Sequence, residues 1–172
     1  FHNFMAFGHK LLVLFPELTV CGYPPEDLIL KPHFVQACME LVPYFEAHLP
    51  RNACVILGSP WREQGRTFNA ALVFIGGKLS GIYRKNLLPN YGVFDEKRVF
   101  AAGDKPLVIE VEGKRIAVHI CEDSWVVDAA PCLDARESHV DLVANLSASP
   151  FHAGKIKQRR QVLAQAASEI DA

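Results

Sequence analysis

Three apolar runs of this chain end on a residue able to take part in acyl transfer: Phe15-Pro-Glu17, Tyr83-Arg-Lys85 and Ile120-Cys121. A thiol attacks as its thiolate, a carboxylate of raised basicity can take the thiol proton, and an ammonium can stabilise the oxyanion of a tetrahedral intermediate. A Glu-Lys-Cys trio supplies those three parts. The segment Arg115-Ile-Ala-Val-His-Ile-Cys121-Glu-Asp-Ser-Trp125 brings a single cysteine to the point where polar residues begin. Asp123 or Ser124 is placed there to cap a following helix, which would aim backbone N–H groups at whatever the sulfur attacks.

Each residue also has a plainer reading. Buried free cysteines are commonly inert small hydrophobes, and Glu17 and Lys85 suit a solvated loop start and a surface charge beside a strand. His119 shares strand parity with Cys121, so it reads either as the base of a Cys/His pair or as a hydrogen-bonded core histidine. The other cysteines, Cys21, Cys38, Cys54 and Cys132, sit in apolar or helical patterns. An odd total of five, with no C-x-x-C pair, argues against a disulfide framework or a zinc site.

The elements that must position these residues follow from periodicity. Leu11 to Phe15, cut off by Pro16, reads as a strand buried on both faces of a parallel sheet. Residues 17–32, rich in Gly and Pro, read as a loop with a short turn near Glu26-Asp27, and His33 to His48 as a helix that Pro43 kinks or ends. Ala53 to Gly58 is a buried strand. Phe68 to Ile75 and Lys78 to Arg84 form a hairpin around Gly76-Gly77, delivering Lys85 to its end. Asn86 to Asp104 is loop. Val108 to Val111 and the run before Cys121 make a second hairpin, Asp141 to Leu146 another strand, and Gly154 to Ile170 a closing helix. The sum is an α/β layered fold with function at strand ends, which a parallel sheet would place along one edge.

Composition fits that class. The chain has 172 residues, 50% hydrophobic and 22% charged, with a net charge of −1, enough for one sizeable core. No excess of positive charge points to nucleic acid, and Lys155-Ile-Lys157-Gln-Arg159-Arg160 reads as the solvated face of a helix. No apolar stretch is long enough to span a bilayer and no signal peptide is evident, so with reduced cysteines a cytoplasmic location is expected. Neither a Ser-centred nucleophile elbow nor a Gly-x-x-x-x-Gly-Lys phosphate loop is present.

At these residues the chain resembles the carbon–nitrogen hydrolase (nitrilase) superfamily, whose members use a Glu, Lys and Cys triad. The similar segments are Phe15-Pro-Glu17-Leu-Thr-Val-Cys-Gly-Tyr23-Pro-Pro-Glu-Asp-Leu28, Tyr83 to Arg98, Ile120 to Trp125 and Asn145 to Phe151. Tyr-Pro-Pro-Glu-Asp-Leu and Asn-Tyr-x-Val-Phe-Asp-Glu-x-Arg look most like the glutamine-hydrolysing branch that feeds ammonia to NAD synthesis. The resemblance implies a nitrilase-like α-β-β-α four-layer sandwich. It implies Glu17 as base, Cys121 as nucleophile, and Lys85 with the backbone N–H after Cys121 as oxyanion donors. It further implies that Tyr23, Tyr91, Glu96, Trp125 and Ser149 bind glutamine, with Glu96 facing the α-ammonium group.

The same resemblance implies one carbon–nitrogen hydrolase domain over 1–172, an incomplete fragment truncated at both ends, since little precedes the Glu17 strand and members continue beyond Ala172. The partner would be a synthetase domain that uses ammonia to amidate ATP-activated deamido-NAD. ATP, Mg and deamido-NAD would bind there, with no cofactor in this domain, and members assemble as homo-oligomers. The alternative is a stand-alone amidase or nitrilase acting on another small amide or nitrile. A catalytically dead fragment or interaction module is a third reading.

Overall fold

The computed structural model describes residues 3–92, 94–150 and 152–172. Of the motif residues quoted above, Val93 and Phe151 lie outside the described residues.

The strand alternation sorts side chains into two sheets that share one core. The first sheet has the order β1(Asn3–Phe7), β2(Lys10–Leu14), β3(Ala53–Glu63), β4(Arg66–Ile75), β5(Lys78–Arg84). The second has β6(Val108–Val111), β7(Lys114–Ile120) and β8(Leu142–Leu146). Cys54 and Ile56 of β3, Ala71 and Val73 of β4, and Ile116, Val118 and Ile120 of β7 all meet in the layer between the sheets. The alternate residues Val55, Leu57, Leu72 and Phe74 face outward onto Val42, Phe45 and Leu49. Ala117 of β7 faces outward onto Cys132, Ala135 and Ile170. Period-two patterning on strands apolar on both faces therefore yields four layers, helix–sheet–sheet–helix.

Helices α1(Pro32–Met39) and α2(Val42–His48) serve the first sheet, and α4(Ala130–Glu137) and α5(Lys155–Ile170) the second. The single helix expected over 33–48 is two, because Pro43 lies in the first turn of α2, where its missing N–H costs nothing. A short helix, α3(Glu96–Val99), interrupts the predicted 86–104 loop. Neither β1 nor α4 was expected from the sequence. α4 buries only Pro131, Cys132 and Ala135, too thin a stripe to stand out in the pattern.

The four layers are those of the expected α-β-β-α sandwich, but the sheets are mixed rather than parallel throughout. β2 and β3 are parallel, as are β7 and β8, but β1–β2, β3–β4, β4–β5 and β6–β7 are antiparallel. Two reversals from β3 to β5 leave β2, β3 and β5 running the same way, so Glu17 and Lys85 still follow strands that end at one edge. Cys121 comes to them from the facing sheet.

Candidate active site

The turn carrying Glu17 passes directly over β3, and Gly58 makes that approach possible. A Cβ at Gly58 would lie 2.2 Å from Leu18 N and 2.6 Å from Pro16 O. In its absence Gly58 N–H donates to Pro16 O at 3.3 Å and Val20 N–H to Gly58 O at 3.1 Å. Lys85 is set the same way on its own side. Its N–H extends the β4–β5 ladder to Asn69 O at 2.9 Å, while Gly103 N–H donates to Lys85 O at 2.8 Å. A Cβ at Gly103 would fall 2.3 Å from Arg84 O.

These two backbones bring their charges together. Lys85 Nζ donates to Glu17 Oε1 at 2.7 Å and to Glu96 Oε1 at 2.8 Å, with all three side chains buried. Glu17 also accepts Asn69 Nδ2–H at 2.8 Å and Ala148 N–H at 3.1 Å. Tyr23 O–H donates to Glu96 Oε1 at 2.9 Å. Burial works against the Lys85 ammonium, yet Glu17 and Glu96 outweigh it and hold its pKa above the usual lysine value. Burial raises Glu96 despite the pull of Lys85. Its Oε2 has no partner among the described residues.

Cys121 is not the last strand residue but the first of a 3-10 turn, Cys121–Ser124, with φ 45°. A cysteine in the left-handed region is strained and must be held by its surroundings. Asn145 Nδ2–H binds the Cys121 carbonyl at 3.1 Å, and Ser147 O–H lies 3.7 Å from Sγ. Burial, then the nearby Glu17 carboxylate, push the thiol up to about 12 against the opposing pull of Lys85. The site therefore sets a thiol whose ionisation burial opposes near a carboxylate that is ion-paired to a buried lysine, an arrangement suited to general-base activation.

The change of backbone hand at Cys121 also undoes the parity argument for His119. Its ring faces the outer layer, with Nδ1 2.9 Å from Ser124 Oγ and Nε2 3.1 Å from Pro131 O. The Pro131 carbonyl can only accept, so Nε2 donates to it, and burial lowers the ring's pKa to about 4, favouring the neutral form. His119 is a core residue. Neither Asp123 nor Ser124 caps a following helix: the residue before α4 is Ala129, and the Asp123 carboxylate turns inward.

The expected substrate residues divide into two groups. Glu96 and Tyr23 are part of the charge network, in which Glu96 accepts from Lys85 and Tyr23 through Oε1. Tyr91, Trp125 and Ser149 lie outside that network. Exposed Tyr91 donates to the Glu122 carboxylate at 2.9 Å, beside a cavity of 660 Å³ lined by both. Trp125 carries Lys155 Nζ 4.5 Å from its ring centre. Ser149 Oγ accepts from Arg159 Nη2 at 2.6 Å and lies 3.3 Å from Ser147 Oγ. Trp125, Ser147 and Arg159 line a second cavity of 340 Å³. Lys155 and Arg159 thus face inward from α5, while Lys157 and Arg160 keep the expected solvated positions.

Sequence reasoning missed Asn69, Ser147, Asn145 and Arg159, and gave Asp123 the wrong task. Asn69 left a signal: an asparagine inside Phe68-Asn-Ala-Ala-Leu-Val-Phe must bury its amide and needs a partner. Among the described residues no group of three or more His, Cys, Asp or Glu side chains is arranged to hold a metal ion, and no helix is long and apolar enough to cross a membrane. All five cysteines are free.

Known proteins resemble the chain over most of its length. The chain is 41% identical over 160 residues to glutamine-dependent NAD(+) synthetase of Aquifex aeolicus, covering 92% of this chain and 28% of that protein. It superposes on the structure of glutamine-dependent NAD+ synthetase from Acinetobacter baumannii with a TM-score of 0.85 at 36% identity, covering 92% of this chain and 30% of the other. An amidase of the nitrilase superfamily from Nesterenkonia shares the fold at a TM-score of 0.71 and 22% identity, covering 92% of this chain and 59% of that one. The chain thus spans under a third of the length of its synthetase relatives. The carbon-nitrogen hydrolase model matches residues 10–168, and the chain belongs to that family.

Proposed function

We propose that this chain hydrolyses the side-chain amide of glutamine and releases ammonia for ATP-dependent amidation of deamido-NAD at a synthetase domain. One observation carries the chemistry: a buried Lys85 bonded to Glu17 beside the strained, protonated Cys121. The choice of glutamine rests on the names of the synthetase relatives.

In the reaction Glu17 takes the Cys121 proton as sulfur attacks the amide carbon. Lys85 and the backbone N–H after Cys121 donate to the oxygen that gains charge. The C–N bond breaks, the nitrogen leaves as ammonia with the proton held by Glu17, and a glutamyl thioester remains on Cys121. Glu17 then takes a proton from water as its oxygen attacks the thioester carbon, and the thiol is expelled with glutamate as product. Glu96 keeps Lys85 charged, and its unpartnered Oε2 is the acceptor left for a substrate N–H. Tyr91, Trp125 and Ser149 are the further substrate contacts of this reading, with Arg159, hydrogen-bonded to Ser149, as the counter-charge for a substrate carboxylate.

The residues on this chain act on the amide. ATP, Mg and deamido-NAD are assigned to the synthetase domain, with cytoplasmic location and a homo-oligomer as parts of the same proposal. The test is ammonia release from glutamine by the purified full protein beside Cys121→Ala. Release that depends on Cys121 and prefers glutamine to acetamide supports the reading. Equal turnover of simple amides or nitriles would move the chain to the stand-alone amidase class.

A further inference from the structure

Asp123 is fully buried, and its two oxygens take four donors. Oδ1 accepts the N–H of Asn86 at 3.2 Å and of Leu87 at 2.8 Å. Oδ2 accepts the N–H of Ile120 at 3.0 Å and the O–H of Tyr83 at 2.9 Å. These donors come from both sheets. Tyr83, Asn86 and Leu87 bracket Lys85 on either side, and Ile120 immediately precedes Cys121. A carboxylate here costs free energy, since burial opposes its ionisation, and the four donors oppose that cost. An apolar side chain would fill the space without it, so what the aspartate adds is the tie between the two segments.

We propose that Asp123 is a positioning residue, fixing the Cys121 sulfur relative to the Lys85 ammonium by holding the backbone beside each across the sheet interface. This rests on the amide-hydrolysis reading of the site. Every contact of the carboxylate named above is to protein, so it acts through Cys121 and Lys85. Displacing a reacting group by about 1 Å can cost ~100-fold in rate, and loss of this tie frees both groups together.

The test uses Asp123→Asn and Tyr83→Phe in the full protein. Asparagine keeps the shape but turns an amide N–H₂ onto one pair of donors, breaking one side of the tie. For Asp123→Asn, kcat for glutamine falls by about 100-fold with KM changed less than about threefold, and iodoacetamide labelling of Cys121 slows in parallel. Tyr83→Phe removes one of the four donors and lowers kcat by a smaller factor, again without a KM effect. If Asp123→Asn does not fold, Tyr83→Phe carries the test, and wild-type kcat in that variant overturns the proposal. The proposal also fails if folded Asp123→Asn keeps wild-type kcat and labelling rate, or if its kcat deficit equals its unfolded fraction. Labelling separates this proposal from the function: a wild-type protein that labels quickly but does not turn over glutamine refutes the substrate, while slow labelling of Asp123→Asn still supports positioning.

Discussion

The ammonium of Lys85 lies 2.7 Å from Glu17 Oε1 with both side chains sealed from solvent. A second carboxylate, Glu96, takes the same ammonium at 2.8 Å. One buried cation between two buried anions leaves the site poor in positive charge, which raises the cost of a Cys121 thiolate at rest. On the proposed mechanism the thiol ionises as its proton passes to Glu17.

Replacing Lys85 by methionine leaves two buried carboxylates with no cation. Removing one partner of a buried ion pair costs about 3–5 kcal/mol. Urea denaturation of Lys85→Met should show a loss of that size together with loss of amide hydrolysis. A variant as stable as wild type would mean that the carboxylates are not ionised beside Lys85.

Glu17→Gln keeps the shape of the base and removes its proton-accepting power. Amide hydrolysis should fall by about 100- to 10,000-fold, and iodoacetamide labelling of Cys121 should slow as well. In the wild type, labelling should show no rise centred on the ordinary thiol pKa of about 8.5, because the Cys121 thiol is pushed up to about 12. A simple titration near pH 8.5 would show a solvated thiol without its base.

Gly58→Ala adds one methyl group, and the new Cβ meets Leu18 N at 2.2 Å and Pro16 O at 2.6 Å. The turn carrying Glu17 has to move. A large fall in kcat, with a lower melting temperature, is expected from a residue with no chemistry of its own. Full activity in Gly58→Ala would show that the Glu17 turn stands off β3.

His119 makes stability depend on pH. Its folded pKa of about 4 lies below the unfolded value of 6.5, so its contribution is fully present above pH 6.5 and is lost as pH falls toward 4. The size is about 3 kcal/mol. Asp123 works in the opposite sense over part of this range, its pKa being raised by burial to about 6, so the effect is read as a difference between proteins. The fall in unfolding free energy from pH 7 to pH 4 should be smaller in His119→Gln than in wild type. Equal falls would place the wild-type ring in solvent.

The sequence was informative wherever a property is local. Period-two apolar runs located β3, β4, β5, β7 and β8, and the Gly76-Gly77 and Glu112-Gly113 turns fixed two hairpins. The grouping of Glu17, Lys85 and Cys121 was legible because each stands at or just past the end of such a run. What could not be read is set by pairing between segments distant in the chain. The mixed direction of the first sheet depends on which strands become neighbours. The partner of Glu96 is decided by Lys85 and Tyr23, the latter 73 residues away. The inward turn of Arg159 depends on Ser149, which itself follows the end of β8. Parity put Cys121 on the face of His119, but the positive φ at Cys121 turns its side chain to the inner face instead.

The most direct measurement is mass spectrometry of the full protein quenched in acid during glutamine turnover. The expected result is a Cys121 peptide heavier by one glutamyl group, seen in wild type and missing from Cys121→Ala. Glutamine hydrolysis that continues in Cys121→Ala, with no adduct on the wild-type peptide, would contradict the assignment of Cys121 as the nucleophile.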